Sequence, residues 1–228
     1  MVSYFIIFSL SFINVIQNKL FNKKLVKIFH IVFLLILVLF IGTRHSVGGD
    51  WINYYNYFNS FETKEFNLFQ VDFLFFLTNY LFYNVGLNIY FLNTFTALIS
   101  IILITKYVQN FYDPKLAILI SIPYILFVVL IGYNRQGIAL CLLMYSITML
   151  GKNYKLRFIS TVLIASLFHF TSIIYLIFLI FLVRNKILFL FKSFIIFTII
   201  FLFISFFNNK IYFFLYNFIS TKWYFYVS

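Results

Sequence analysis

Phe33-Leu34-Leu35-Ile36-Leu37-Val38-Leu39-Phe40-Ile41 runs straight into Gly42-Thr43-Arg44-His45-Ser46-Val47-Gly48-Gly49-Asp50-Trp51-Ile52-Asn53-Tyr54-Tyr55. The first part predicts a membrane helix. The second is a polar island carrying a cation, an imidazole, two glycines, a carboxylate and several aromatics. Four of the five acidic residues, Asp50, Glu62, Glu65 and Asp72, lie in it or soon after it. A segment this rich in functional groups, held at a helix end, is where binding and catalysis concentrate.

The composition agrees with the run. Hydrophobic residues make up 64%, aromatics 25% and charged residues 10%, with mean hydropathy +1.03. A soluble domain carries about 25% charged residues, so this polar set cannot cover a water-facing surface. The expectation is an all-α, polytopic membrane protein. It forms a single transmembrane domain over 1–228 with about seven spans, and 44–66 is its outer functional loop. The net charge of +12 comes from lysines and arginines between apolar runs. That is a positive-inside pattern and argues against nucleic acid as a partner. The lone Cys141 offers no disulfide. His30, His45 and His169 have no metal-ligand spacing, so no metal or cofactor is expected.

In chain order, Met1 to about Ile16 is a short first span. Lys19, Lys23, Lys24 and Lys27 then mark an inner loop. Ile28–Ile41 runs outward and delivers Arg44 to the outer face. From Phe73 to Thr105 there is no charge. That is too long for one upright span, and Asn79, Asn84, Gly86 and Asn88 break it. The charge pattern favours one crossing over Leu87–Thr105, preceded by a re-entrant or interfacial helix over Phe66–Tyr83. Asp113-Pro114 signals a helix start. Leu116–Gly132 is the next span, kinked at Pro123, and Gly137–Leu150 returns inward to Lys152, Lys155 and Arg157. Phe158–Val183 runs outward, interrupted at His169. Ile187–Phe207 closes the spans despite Lys192, and Ile211–Ser228 is an aromatic, amphipathic tail. Arg184 and Lys186 on the outside are the weak point of this scheme.

Each polar group has two readings. Arg44 is either a snorkelling helix-end arginine or an anion ligand whose fork fits phosphate oxygens. Gly48 and Gly49 allow close backbone approach, and Trp51, Tyr54 and Tyr55 offer flat faces suited to sugar rings. Asp50 closes a loop or supplies a carboxylate. Arg135, flanked by Gln136, sits between two apolar runs with no acid close in sequence. Its convergence with Arg44 on one face points to an anionic ligand. His169 is a buried neutral imidazole or a general base. Glu62, Glu65 and Asp72 serve acid–base work or form a solvated helix face.

Three motifs in order carry a family resemblance. GTRHSVGGDWINYYNYF (42–58) resembles the opening signature of EpsG-like membrane proteins, which belong with the Wzy-type polymerases of O-antigen, capsule and exopolysaccharide. The matching positions are Arg44, Gly48 or Gly49, Asp50, Tyr54 and Tyr55. YNRQGIALCLLMYSI resembles the family's arginine-led span, here Arg135. ASLFHFTSIIYL resembles its Phe-His-x-Ser/Thr segment, here Phe168, His169, Thr171 and Ser172.

The resemblance implies a multi-pass protein of the bacterial inner (plasma) membrane. Such enzymes transfer a glycan from undecaprenyl diphosphate to the sugar hydroxyl of another carrier-linked oligosaccharide. Arg44 and Arg135, with His45, Gly48, Gly49, Tyr54, Tyr55 and Gln136 around them, would bind the substrate. Asp50 or His169 would be the base, with Asp50 preferred because His169 looks too deep. A chain-length regulator and a flippase usually accompany such polymerases, and membrane lipids surround them. Family members continue for further spans, so a chain stopping at Ser228 resembles a shortened copy. The competing readings are a transporter or flippase of lipid-linked sugars, and an inactive remnant.

Overall fold

A computed structural model describes residues 2–17, 21–63, 72–152 and 154–182. Every regular element among them is helical: α1 (Val2–Ile16), α2 (Lys23–Gly42), α3 (Trp51–Thr63), α4 (Phe73–Asn84), α5 (Ile89–Val108), α6 (Pro114–Ser121) continued by a π-helix (Ile122–Leu130), α7 (Asn134–Gly151), α8 (Lys155–Phe168) and a 3₁₀ helix (Phe170–Leu182). Two compact units divide the chain, Met1–Ile177 and Phe178–Ser228. The expected span at 187–207, the tail after it, and Lys19, Lys64, Glu65, Arg184, Lys186 and Lys192 lie outside the described residues.

The starts of these helices follow from local chemistry. The Asn22 side chain accepts the Leu25 N–H at 3.0 Å, and Asn88 accepts from Tyr90 and Phe91. Asp113 accepts from Lys115 and Leu116, with Pro114 at the first helical position. These caps satisfy amide donors that the helix itself leaves open. Both α2 and α5 have 20 residues and are long and apolar enough to cross a bilayer, reaching about 30 Å at 1.5 Å per residue. Val2–Ile16, Pro114–Leu130 and Phe170–Leu179 are apolar but shorter. With 12 residues, α4 reaches only about 18 Å. Most of 44–66 is helix rather than loop, because Asp50 and its neighbours open α3 by accepting and donating in its first turn.

Residues Phe33, Leu37 and Ile41 of α2, Ala97, Ile101 and Ile104 of α5, Ile118, Ile122 and Leu126 of α6 and the π-helix, and Cys141 of α7 form one buried core. Contacts at the element ends fix the directions. Gly42 at the end of α2 lies against Thr94 near the start of α5, so the two are antiparallel. Asn93 and Thr96 of α5 meet Asn134 at the start of α7, and Lys106 lies 5.6 Å over the Tyr145 ring further along, so these two are parallel. One end of the bundle therefore gathers the residues around 44, 90, 132 and 169. The other gathers Lys23, Lys27, Lys106, Lys115, Lys155 and Arg157.

Pro123 leaves its mark as a change of helix type. It has no N–H to return to the preceding turn, and the chain continues as a π-helix from Ile122, a known cause of bending. The carbonyls at its far end then need partners from elsewhere. Leu130 takes Arg44 Nη1, and Gly132 takes the Asp50 N–H at 3.4 Å.

A buried polar knot locks α5 to α7. Asn134 Nδ2 donates to Asn93 Oδ1 and Thr96 Oγ1 donates to Asn134 Oδ1, both at 2.8 Å. Its place next to Arg135 ties the helix start that carries the arginine. Replacing Asn134 by Leu should cost about 1–2 kcal/mol, because Asn93 and Thr96 lose a buried partner. The Asn93→Leu/Asn134→Leu pair should cost less than the sum of the singles, as read from thermal melting in micelles. A Cβ built on Gly42 would fall 2.5 Å from the Thr94 Cα. Gly42→Ala should therefore lower the melting temperature, and adding Thr94→Ala should not restore it, since the clash is with backbone.

Candidate functional site

Arg44 leaves α2 just as the helix ends, and the chain then turns sharply. Ser46 has φ 51° and Gly48 has φ 103°. A Cβ at Gly48 would sit 2.5 Å from the Ile131 carbonyl oxygen, so both the dihedral and the space demand glycine. That freedom lays this turn on the end of the π-helix. That contact buries Arg44 to 7% exposure. Its Nη1 donates to Leu130, while its Nε has no partner. Among the described residues no carboxylate lies within ion-pair distance of it. Burial pushes the guanidinium down to about 10, with the neighbouring Tyr54 and Tyr4 working the other way. It remains a cation at neutral pH.

Tyr54 stands at the centre of the group. It is buried, its hydroxyl donates to Asp50 Oδ2 at 3.3 Å, and its ring packs 5.3 Å from that of Phe75. Burial pushes the phenol up to about 12 against the opposing pull of Arg135, so it stays protonated and able to donate. The Arg135 guanidinium lies 5.8 Å over the same Phe75 ring.

Arg135 has an acid after all, and this corrects the sequence reading. Its Nη1 is 3.3 Å from Asp72 Oδ2. Asp72 occupies the N-cap of α4 but makes no side-chain capping bond. Its oxygens turn elsewhere: Oδ1 accepts the Phe170 N–H at 3.2 Å, and Oδ2 also lies 3.7 Å from His169 Nδ1. Burial works to raise the Asp72 carboxyl, but His169, Arg135 and the Phe170 amide together hold it below the ordinary carboxylate value. The carboxylate is thus charged and accepts from Arg135 and the Phe170 amide, with His169 Nδ1 close by but without a hydrogen bond.

His169 stands at the break between α8 and the 3₁₀ helix. It caps α8 in an extended conformation, φ −154° and ψ 108°, and its side chain is 24% exposed. The break seen in sequence as an interruption is what frees the Phe170 N–H for Asp72.

The remaining candidates spread around this group. His45 Nδ1 lies 2.6 Å from the Tyr90 hydroxyl, and its ring meets Trp51 edge-on. Tyr55 is exposed and stacks on Trp51. Gly49 lies against the Tyr133 hydroxyl, and Gln136 is exposed on α7. Arg44, Asp50, Tyr54 and Arg135 are thus brought together with His169, whereas His45, Tyr55 and Gln136 sit on the rim. Asp72 was underrated by its sequence. Its one signal was position, as the last charge before a run of more than thirty uncharged residues. Among the described residues no group of three or more His, Cys, Asp or Glu could hold a metal ion.

No curated protein and no solved structure matches the chain. The family model described as the EpsG family matches residues 27–228, which takes in Arg44, Asp50, Asp72, Arg135 and His169. The chain belongs to the EpsG family, membrane proteins of polysaccharide biosynthesis.

Proposed function

We propose that this protein is a polysaccharide polymerase that crosses the bacterial inner (plasma) membrane about seven times. Among the described residues the spans are α1, α2, α5, α6 with its π extension, α7 and α8. The lysine-rich end faces the cytoplasm by the positive-inside rule, and the Arg44–Arg135 end faces outward. The observation that carries the reading is two guanidiniums at one bundle end, one of them buried and, among the described residues, without a carboxylate, beside an aspartate–histidine pair.

In this reading the donor is a glycan on undecaprenyl diphosphate and the acceptor is a sugar hydroxyl of another carrier-linked unit. His169 Nε2 takes the hydroxyl proton, and Asp72 orients the ring and stabilises the imidazolium. The acceptor oxygen bonds the anomeric carbon as the bond from that carbon to the diphosphate oxygen breaks. The electron pair leaves with the diphosphate, whose charge Arg44 and Arg135 meet. Tyr54 and Asp50 place the arginines and a sugar hydroxyl, and exposed Tyr55 offers a ring face. His169 replaces Asp50 as the preferred base because His169 has an orienting carboxylate, while Asp50 already accepts from Tyr54.

The test is complementation of a polymerase-deleted strain that still makes the repeat unit. Wild type should restore a ladder of polysaccharide. His169→Ala and Asp72→Asn should reduce chain extension by about 10²- to 10⁴-fold, and Arg44→Ala by a similar factor. Single repeats still reaching the surface would place the loss in transfer, whereas repeats trapped inside would favour a flippase. Sidedness has its own check. Cys141 is fully buried, so introduced cysteines can be labelled cleanly, and one at His45 and one at Lys155 should react from opposite faces.

A further inference from the structure

Two phenols stand a turn apart on α3, and only one of them has a partner. Tyr54 and Tyr57 are three residues apart, so both meet α4 from the same side of their helix. Their rings lie 5.3 and 6.3 Å from that of Phe75. The Tyr54 hydroxyl donates to Asp50. Tyr57 is 8% exposed, and its buried hydroxyl has no hydrogen-bond partner among the described residues. A buried hydroxyl left unpaired carries a desolvation cost, which calls for an explanation in a native fold.

The surroundings of that hydroxyl are cationic. Arg135 lies over the same Phe75 ring that Tyr57 stacks on. Burial pushes the Tyr57 phenol up to about 12, with Arg135 working the other way. The phenol is therefore protonated at neutral pH and able to donate. Arg135 Nε and Arg44 Nε also lack partners among the described residues, and Tyr54 feels the charge of both arginines. This end of the bundle thus holds three N–H and O–H donors without acceptors. It opens outward at Arg135 and His169, whose side chains are 17% and 24% exposed, and Tyr57 lies deeper. The rival acceptor is Asn79 Oδ1, a turn beyond Phe75 on α4, which is also unpaired while Nδ2 donates to the Phe75 carbonyl. The structure forms no bond between it and Tyr57.

A diphosphate has more acceptor oxygens than two guanidiniums use, and one of these guanidiniums already faces Asp72. A neutral donor beside them adds a strong hydrogen bond to an anion without adding charge. We infer that Tyr57 is a diphosphate-binding residue, its hydroxyl donating to an oxygen of the carrier diphosphate that Arg44 and Arg135 hold. The identity of that ligand rests on the polymerase reading.

The experiment is calorimetric binding of farnesyl diphosphate, a short isoprenyl diphosphate, to the detergent-purified full chain, with farnesol and inorganic pyrophosphate for comparison. Wild type should bind farnesyl diphosphate in preference to both. Tyr57→Phe keeps the ring on Phe75 and removes only the hydroxyl. It should weaken binding by about tenfold or more. The melting temperature of the ligand-free variant should be unchanged or higher, since no bond within the protein is lost. A lower one would make the hydroxyl a structural partner of Asn79 and overturn the assignment. Arg44→Ala separates the role of Tyr57 from the reading beneath it. Binding lost in Arg44→Ala but unchanged in Tyr57→Phe would overturn the role of Tyr57 and leave the polymerase reading standing. Wild type that binds farnesol or pyrophosphate as well as farnesyl diphosphate would overturn both.

Discussion

Arg44 reaching the Leu130 carbonyl is the contact on which the outward end of the bundle depends. Pro123 forces the α6 helix into π geometry, and the end of that helix presents carbonyls without intrahelical donors. In a low-dielectric setting an unmet backbone group costs about 1–3 kcal/mol, so the chain must bring donors to it. It brings a guanidinium and the Asp50 amide. To do so the backbone turns at Ser46 and Gly48, the only L-residue and one of two glycines with positive φ among the described residues. The same turn starts α3 and sets Tyr54 against Phe75. A proline on one helix thus determines where an arginine of another must lie.

Asp72 does for the other half of the group what Arg44 does for the first. An aspartate at a helix N-cap ordinarily accepts from its own helix. Here it accepts from Phe170, nearly a hundred residues away, and faces Arg135 and His169. Forgoing its cap leaves the start of α4 with fewer satisfied amides, a local cost borne for a long-range tie. The tie is possible because α8 stops at His169, which exposes an amide that a continuous helix would have used. The two breaks in regular structure, at Pro123 and at His169, meet at the same end of the bundle. Each break supplies the polar backbone group that the other elements' side chains satisfy.

How much of this the sequence disclosed follows from the range of each interaction. The apolar runs, the break at Asn88, the helix start at Asp113, the disturbance at Pro123 and the interruption at His169 are local, and each was legible from neighbours within a turn or two. So was the gathering of Arg44 and Arg135 at one end, since it follows from counting helices. The Asp72–Arg135–Phe170 tie was not legible, because nothing within several residues of Arg135 announces an acid from α4. The helical character of 51–63 was hidden for a different reason: its aromatics and asparagines read as a binding loop, and their helical spacing shows only once Tyr54, Tyr57 and Phe61 are seen to face Phe75 and α4. Gly48 was noticed for its backbone freedom, but its packing against Ile131 was not legible.

The balance of charge in the proposed site has a consequence for how transfer would run. Arg44 and Arg135 against Asp50 and Asp72 sum to zero while His169 is neutral. The site is therefore not a simple trap for anions, and what it offers is arrangement: Asp72 neutralises Arg135, and among the described residues no carboxylate pairs with Arg44. Proton uptake by His169 adds one positive charge to this set at the moment the diphosphate gains negative charge. Deprotonation of the acceptor and departure of the carrier then reinforce each other electrostatically, most strongly where water is excluded. The imidazolium so formed is stabilised by the carboxylate it faces, and the ion pair weakens the hold of Asp72 on Arg135. That frees the guanidinium for the leaving group. On this account Asp72 is a lever between base and anion ligand, and its substitution by asparagine should weaken acceptor deprotonation and carrier departure together.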